Sequence, residues 1–169
     1  MNGKQLGILA AGGSFILLTT AFIFQSLGYA PCAMCIWQRY PHGVAIAAGA
    51  LLAVGFSSIG LLVTGAAAAA TTSAVGVYHT GVERGWWQGP TSCTGSGRDL
   101  SNLSGSDLLP SASSGPSTLV MCDEVAWEFL TLSMASWNAL WSAALVGLWL
   151  FAFARERQNR QVQSTYSAT

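Results

Sequence analysis

Long apolar runs without charged side chains alternate with polar breaks along this chain of 169 residues. Residues 6–28 form the first such run. At a rise of about 1.5 Å per residue, a helix of this length crosses the roughly 30 Å hydrocarbon core of a bilayer. We therefore predict a first membrane span over residues 6–28. The alternative, a cleaved signal peptide, usually has a shorter apolar region of about 7–15 residues.

A second uncharged stretch, residues 41–82, is too long for a single crossing. We predict two spans in this part of the chain, 33–56 and 60–80, joined by a tight reversal. Pro31 suits the start of the second span, because the missing N–H of a proline costs nothing there. Pro41 lies inside that span and is predicted to kink it. The third span is rich in small residues, which favour close packing of membrane helices.

Residues 81–136 form a polar loop between the third and fourth spans. Within it, residues 91–117 are crowded with serine, glycine and proline, which disfavours a compact fold. A short helix is predicted at residues 99–109, with Asp99 as its N-cap. Residues 123–132 combine acidic and apolar side chains, a pattern typical of an amphipathic segment that lies on a surface.

The last apolar run predicts a fourth span over residues 137–154. Trp137 and Trp141 are predicted near one membrane interface and Trp149 near the other, since tryptophan is enriched at both. The tail, residues 156–169, is polar and is predicted to be disordered after Arg160.

Composition supports one class for the whole chain. Hydrophobic residues make up 51% and charged residues only 8%, against about 25% charged in soluble domains. We therefore predict an all-α membrane protein of one domain, a four-transmembrane-helix bundle with a long, partly disordered loop between helices 3 and 4. The absence of a basic patch in the sequence excludes nucleic acid as a partner.

The distribution of charge predicts the topology. Lys4 lies before the first span, and Arg155, Arg157 and Arg160 follow the fourth. Cytoplasmic flanks attract lysine and arginine, and four spans place both termini on one side. Both termini are thus predicted in the cytoplasm, and the acidic loop 81–136 on the outer face.

Four cysteines, Cys32, Cys35, Cys93 and Cys122, all fall where the predicted topology faces outward. Two structural disulfides are one interpretation, with Cys93–Cys122 closing a loop and contributing about 3–4 kcal/mol. A four-thiolate metal site is disfavoured, because the second pair is not spaced as a second C-x-x-C, and we predict no metal. Redox catalysis is favoured, because the small ring of a C-x-x-C disulfide is strained and readily reduced.

Helical spacing strengthens the redox interpretation. In a helix that starts at Pro31, the side chains of Cys32, Cys35, Arg39 and His42 share one face. The helix dipole favours a thiolate in the first turn, and Arg39 lies one turn beyond Cys35. An ionisable residue at membrane depth indicates function, although an arginine can also snorkel to the interface. His42 has two interpretations: a ligand or proton-relay residue, or, at least as well supported, a polar residue that contacts a neighbouring helix.

Together these motifs resemble the DsbB family of disulfide bond formation proteins of the bacterial inner membrane. The resemblance covers nearly the whole chain and rests on the following segments: Pro31-Cys32-Ala33-Met34-Cys35-Ile36-Trp37-Gln38-Arg39, Ser92-Cys93-Thr94, Cys122-Asp123 through Trp127, Phe129-Leu130, Leu132-Ser133-Met134 and Trp137-Asn138.

The resemblance implies a thiol–disulfide oxidoreductase that reoxidises a DsbA-like periplasmic protein of thioredoxin fold. It implies that a thiolate of that partner attacks a Cys93–Cys122 disulfide, with Cys93 in the mixed disulfide. Cys122 then attacks a Cys32–Cys35 disulfide, and electrons leave from Cys35 to a membrane quinone, either ubiquinone or menaquinone.

The resemblance also implies three residues that contact the quinone. Arg39 matches a family arginine beside the quinone, and Met134 matches a methionine near its ring, although a flexible core residue would also suit that position. His79 is a candidate for the quinone pocket or a proton path, and equally for a structural histidine at the interface. The pair Pro41-His42 departs from the family pattern. Two further hypotheses are a protein like vitamin K epoxide reductase and a disulfide-stapled membrane scaffold without catalysis.

Overall fold

The computed structural model describes residues 1–56, 59–90 and 121–167. These residues form four helices, α1 (Gly3–Ser26), α2 (Ala33–Ala53), α3 (Ile59–Glu83) and α4 (Met134–Ser167). A short antiparallel hairpin, β1 (Glu128–Phe129) and β2 (Leu132–Ser133), precedes α4. The mostly helical class is therefore confirmed. The predicted helix at 99–109 and the segment 91–117 lie outside the described residues.

Local hydrogen bonds set the start of α1. The Asn2 side chain accepts from the backbone N–H of Gln5 at 2.9 Å, and the Gln5 side chain accepts from the backbone N–H of Asn2 at 3.1 Å. This capping box satisfies two N–H groups that the first turn leaves without partners, so the helix begins before the predicted residue 6.

The second helix begins at the C-x-x-C motif, as predicted. Cys32 is its N-cap residue, and the Cys32 sulfur accepts from the backbone N–H of Cys35 at 3.2 Å. Pro41 lies inside the helix. The chain leaves α2 after Ala53 through Gly55, whose φ of +110° suits only glycine.

Small residues let α3 approach α4 closely, as the sequence predicts. A Cβ atom added at Gly65 would lie 2.5 Å from the Trp149 ring, and one at Gly76 would lie 3.0 Å from the Ala139 Cβ. Trp149 is fully buried and fills the space beside Gly65. It is therefore a core residue, and its position near a membrane interface stays a prediction.

Three of the described helices, α1, α3 and α4, are long and apolar enough to cross a membrane. Their outward faces carry exposed apolar side chains, for example Phe15, Val63 and Leu150. Such a face is favourable against lipid and costly against water. The second helix is not among these three, and its first half carries polar and charged side chains. The predicted crossing by α2 stays a prediction.

The fourth helix continues to Ser167, so the prediction of a disordered tail after Arg160 is wrong for the residues up to that point. Glu156 and Arg160, one turn apart, form an ion pair with an N···O distance of 3.2 Å. Pairs at this spacing stabilise an exposed helix by about 0.2–0.5 kcal/mol.

The segment predicted to be amphipathic contains the β1–β2 hairpin. Its apolar residues Phe129 and Leu130 are exposed, in agreement with a surface position. Leu130 and Thr131 form the two-residue loop with φ of +52° and +64°. Positive φ at both positions is what a type I′ hairpin requires, although glycine and asparagine suit it better.

Candidate active site

The C-x-x-C pair lies at the N-terminus of α2 as a free dithiol. The two sulfur atoms are 3.0 Å apart. Cys32 is buried, and Cys35 is partly exposed. Backbone N–H groups of the first helical turn point toward this end, so negative charge on a sulfur is favoured there.

Cys32 lies just before α2, and its surroundings favour the thiolate form of its side chain. A hydrogen bond from the Cys35 thiol, and a weaker one from His79 with its Nε2 at 3.5 Å, lower the pKa of Cys32 to about 4, although burial raises it. The thiolate is the reactive form in disulfide exchange, so Cys32 is charged and nucleophilic at neutral pH.

Gln38 fixes the orientation of His79. The Gln38 amide nitrogen lies 3.0 Å from Nδ1 of His79 and 3.2 Å from the carbonyl oxygen of Met34, and an amide nitrogen can only donate. In a neutral imidazole, Nδ1 is therefore the acceptor and Nε2 carries the proton. This tautomer, assigned from the hydrogen-bond network, directs an N–H group at the Cys32 sulfur.

The same network continues deeper into the bundle. Asn138 of α4 donates to the Gln38 side-chain oxygen at 2.7 Å, and its own oxygen lies 2.9 Å from Nε2 of His42. The Thr72 hydroxyl donates to the Gln38 carbonyl oxygen at 3.1 Å. His42 therefore contacts neighbouring helices, which is the simpler of its two sequence interpretations.

The Arg39 side chain turns toward α1. It donates to the Gln25 side-chain oxygen at 2.6 Å and to the Ala21 carbonyl oxygen at 3.4 Å, and its guanidinium lies 4.8 Å from the centre of the Phe22 ring. Its Nε is buried and has no hydrogen-bond partner among the described residues. These contacts hold Arg39 beside the dithiol without a direct bond to either sulfur among those observed.

A cavity of about 1110 Å³ opens beside the dithiol. Its walls are mainly apolar side chains of α1 and α4. Five of the residues singled out from the sequence line it: Cys32, Cys35, Arg39, His79 and Met134. The structure thus brings residues of the C-x-x-C motif and α2, of α3 and of α4 together around one apolar space.

Cys122 packs near Cys32. It is fully buried, belongs to the same small core as Cys32, Met34 and Val82, and is disulfide-bonded. Cys93, the partner that the family resemblance implies, lies outside the described residues. A disulfide-bonded sulfur is therefore packed close to the free dithiol.

Sequence reasoning did not assign a role to Glu83, Gln38 or Asn138. Glu83 follows His79 by one helical turn, and this spacing is a signal that could have found it. Its carboxylate oxygen lies 3.8 Å from Nε2 of His79. Gln38 and Asn138 are separated by 100 residues in the chain, so only the packing of α2 against α4 shows their contact.

The ligand-type atoms of Cys32, Cys35 and His79 lie within 4.8 Å of one another, so they could hold a thiophilic metal ion. Two thiolates on a tetrahedral zinc ion, with bonds of about 2.3 Å, stand roughly 3.8 Å apart. The observed sulfur separation of 3.0 Å is shorter. The arrangement therefore suits opening and closing of a disulfide better than metal binding.

Comparison with known proteins agrees with these features. The model of the family described as "Disulfide bond formation protein DsbB" matches residues 3–152. A protein of Polaromonas sp. named "Disulfide bond formation protein B" is 28% identical over 164 residues, covering 93% of this chain and 95% of that protein. Its namesake from Aromatoleum aromaticum is 33% identical over 142 residues, covering 80% and 82%.

No solved structure matches the chain at a significant level. The family match nevertheless covers all four helices up to Ala152 and includes every residue of the site described above. The chain belongs to the DsbB family of disulfide bond formation proteins.

Proposed function

We propose that this chain is a membrane thiol oxidase, which reoxidises a DsbA-like periplasmic dithiol protein and passes the electrons to a membrane quinone. The observation that carries the proposal is the free dithiol at the α2 N-terminus, with Cys32 favoured as a thiolate and both sulfurs lining an apolar cavity. Membership of the DsbB family supports a role in disulfide bond formation.

The proposed electron path starts at the Cys93–Cys122 disulfide. A thiolate of the partner attacks Cys93, and a second partner thiolate closes the partner's disulfide while Cys93 and Cys122 become reduced. Cys122 then attacks the Cys32–Cys35 disulfide, and Cys93 attacks Cys122 to close the Cys93–Cys122 disulfide again, so that two electrons reach the Cys32–Cys35 pair. The burial of Cys122 against Cys32 supports a short transfer distance between the two pairs.

The cavity fits a quinone head group in size and polarity. Ligand sites usually measure about 300–1,000 Å³ and are mostly apolar with a few polar groups. The Nε–H group of Arg39 is buried and has no partner among the described residues. It could donate a hydrogen bond to a quinone oxygen. Arg39 would orient the ring, Met134 would contact it, and His79 would lie at its edge. A bound quinone would take up two electrons and two protons.

We also propose that α2 crosses the membrane with the other three helices. Its charged group, Arg39, lies in the first half of the helix and bonds to α1, which reduces the cost of burying it. Four crossings place the basic ends, Lys4 and Arg155, in the cytoplasm and the cysteines on the periplasmic face of a bacterial inner membrane.

A coupled assay tests this function. The purified protein, mixed with a reduced DsbA-like protein and decylubiquinone, should oxidise one dithiol for each quinone reduced, read as loss of free thiols and of quinone absorbance. A scaffold without catalysis would leave the thiols reduced. The Cys35→Ala variant should lose turnover by at least about 1000-fold, because the dithiol can no longer close. Full activity in that variant would refute the electron path.

A further inference from the structure

Glu83 stands between two cavities of the protein. It is the last residue of α3, and its side chain is only 7% exposed. It lines the large apolar cavity together with Cys35. It also lines a smaller open cleft of about 230 Å³ formed with Arg84, Glu128 and Ser133. Its carboxylate is therefore part of the wall between the two spaces.

Contacts on both sides hold the carboxylate in this wall. The Ser133 hydroxyl donates to one carboxylate oxygen, and the other oxygen lies 3.8 Å from Nε2 of His79. The same Nε2 lies 3.5 Å from the Cys32 sulfur. An uninterrupted series of ionisable groups thus leads from the outer cleft through Glu83 and His79 to the dithiol.

The proposed reaction needs such a series. When the Cys32–Cys35 dithiol closes to a disulfide, with Cys32 as the thiolate, the Cys35 S–H bond breaks, one S–S bond forms, and two electrons and one proton leave. Reduction of a quinone consumes those two electrons and needs two protons at its oxygens. The quinone cavity is mainly apolar and is lined by outward-facing side chains such as Phe15, whereas the partner's thiols release their protons on the outer face. Protons must therefore enter the cavity from outside.

Among the described residues, Glu83 is the only one that lines both the apolar cavity and the outer cleft. We propose that Glu83 is a proton-relay residue, which takes protons from the outer cleft and passes them through His79 into the quinone cavity. This inference rests on the proposed function. It assigns to Glu83 a task that is separate from electron transfer by the cysteines.

The charges around Glu83 determine how its proton affinity responds to pH. His79 and the Cys32 thiolate face it from the cavity side. Arg84 lies next to it in the outer cleft, and Glu128 lines the same cleft from β1. Positive Arg84 favours the carboxylate, while negative Cys32 and Glu128 favour the protonated acid. Reduction of the dithiol, which creates the thiolate, therefore promotes proton uptake by Glu83.

Infrared spectroscopy of the reduced, quinone-free protein in lipid tests the access of Glu83 to the outer solvent. As the pH is lowered, the Glu83 component of the protonated carboxyl band should appear. It is the component that is absent in Glu83→Gln and kept in the matched control Glu128→Gln. Replacing H₂O by D₂O should shift the band within the mixing time. A band that resists exchange would mean that Glu83 is sealed from the cleft and would overturn the proposal.

Single-turnover kinetics test the relay itself. Glu83→Gln should slow quinone reduction about 100-fold, as expected for loss of one acid–base group, while disulfide exchange with the partner protein is unchanged. Formate should restore part of the rate, because a small acid can carry the proton instead. Glu128→Gln leaves the Glu83 carboxyl in place, so it should reduce quinone without formate and change the rate far less than Glu83→Gln does. A parent-like rate in Glu83→Gln, or a slow rate that formate does not restore, would each refute the relay.

Two further outcomes are informative. If the parent protein does not reduce quinone at all, the proposed function fails, and the infrared result still reports whether Glu83 exchanges protons with the outer face. If Glu83→Gln does not assemble, Glu83→Asp replaces it in both measurements. Its shorter carboxyl group should still exchange with D₂O but should slow quinone reduction and change its pH profile, and an unchanged profile would refute the relay.

Discussion

The hydrogen bond from His79 to Cys32 makes a quantitative prediction for the variant His79→Leu. Nε2 of His79 lies 3.5 Å from the Cys32 sulfur. The hydrogen bond from the Cys35 thiol, and after it this contact with His79, lower the pKa of Cys32 to about 4. A hydrogen bond to a charged group contributes about 1.5–3 kcal/mol. One pKa unit corresponds to about 1.36 kcal/mol, so the loss of this bond should raise the pKa of Cys32 by about 1–2 units.

The sign of the effect follows from the thiolate. In the parent, Cys32 is mainly thiolate at every pH above about 4. If the pKa rises, the sulfur becomes protonated between about pH 4 and the new pKa. The rate at which Cys32 is alkylated falls in that pH range. The assay is the rate of alkylation of Cys32 by iodoacetamide against pH, in reduced protein carrying Cys93→Ala and Cys122→Ala, with the labelled site identified by mass spectrometry.

His42→Leu is the matched control. It also replaces a buried histidine, but His42 contacts Asn138 and Thr72 rather than a sulfur. The alkylation midpoint should move upward in His79→Leu and stay near the parent value in His42→Leu. An unchanged midpoint in His79→Leu, or equal shifts in both variants, would refute the direct role of His79 in stabilising the thiolate.

Three other substitutions test separate features. Arg39→Ala should raise the KM for quinone about tenfold or more, since it removes a charged donor, while thiol exchange between the two cysteine pairs is preserved; an unchanged KM would count against its role. Gly65→Ala should lower stability in thermal unfolding by about 1–3 kcal/mol, because its methyl group would overlap the Trp149 ring, whereas Gly147→Ala, with nothing within 4 Å, should not. Thr131→Gly should slow amide hydrogen exchange in the hairpin, since glycine relieves a positive φ that costs about 1 kcal/mol or more; faster exchange would argue against strain there.

The buried polar network explains why α2 differs from the other helices. Gln38 and His42 each bond to Asn138 of α4, so the polar groups that lower the apolar character of α2 are satisfied inside the bundle. Such bonds limit the cost of polar side chains in a membrane. A hydropathy criterion applied to one helix alone does not register this compensation.

Local sequence determined much of the architecture. The four helices and the start of α2 at the C-x-x-C motif follow from apolar run length and capping, which depend on neighbours within a few residues. The grouping of Cys32, Cys35 and Arg39 on one side of α2 follows from helical spacing, and all three line the same cavity. The continuation of α4 to Ser167 was not predicted, because a polar composition does not by itself distinguish an exposed helix from a disordered tail.

Only the tertiary structure decided what the C-x-x-C motif contacts. Cys32 and His79 are 47 positions apart, and no sequence signal shows that the two side chains meet. The bond of Arg39 to Gln25 likewise depends on how α1 packs against α2. The place of Glu83 between two cavities depends on the hairpin that brings Ser133 against α3. The physical reason is that helix formation is governed by nearby residues, whereas the identity of a side chain's neighbours is governed by the packing of whole helices.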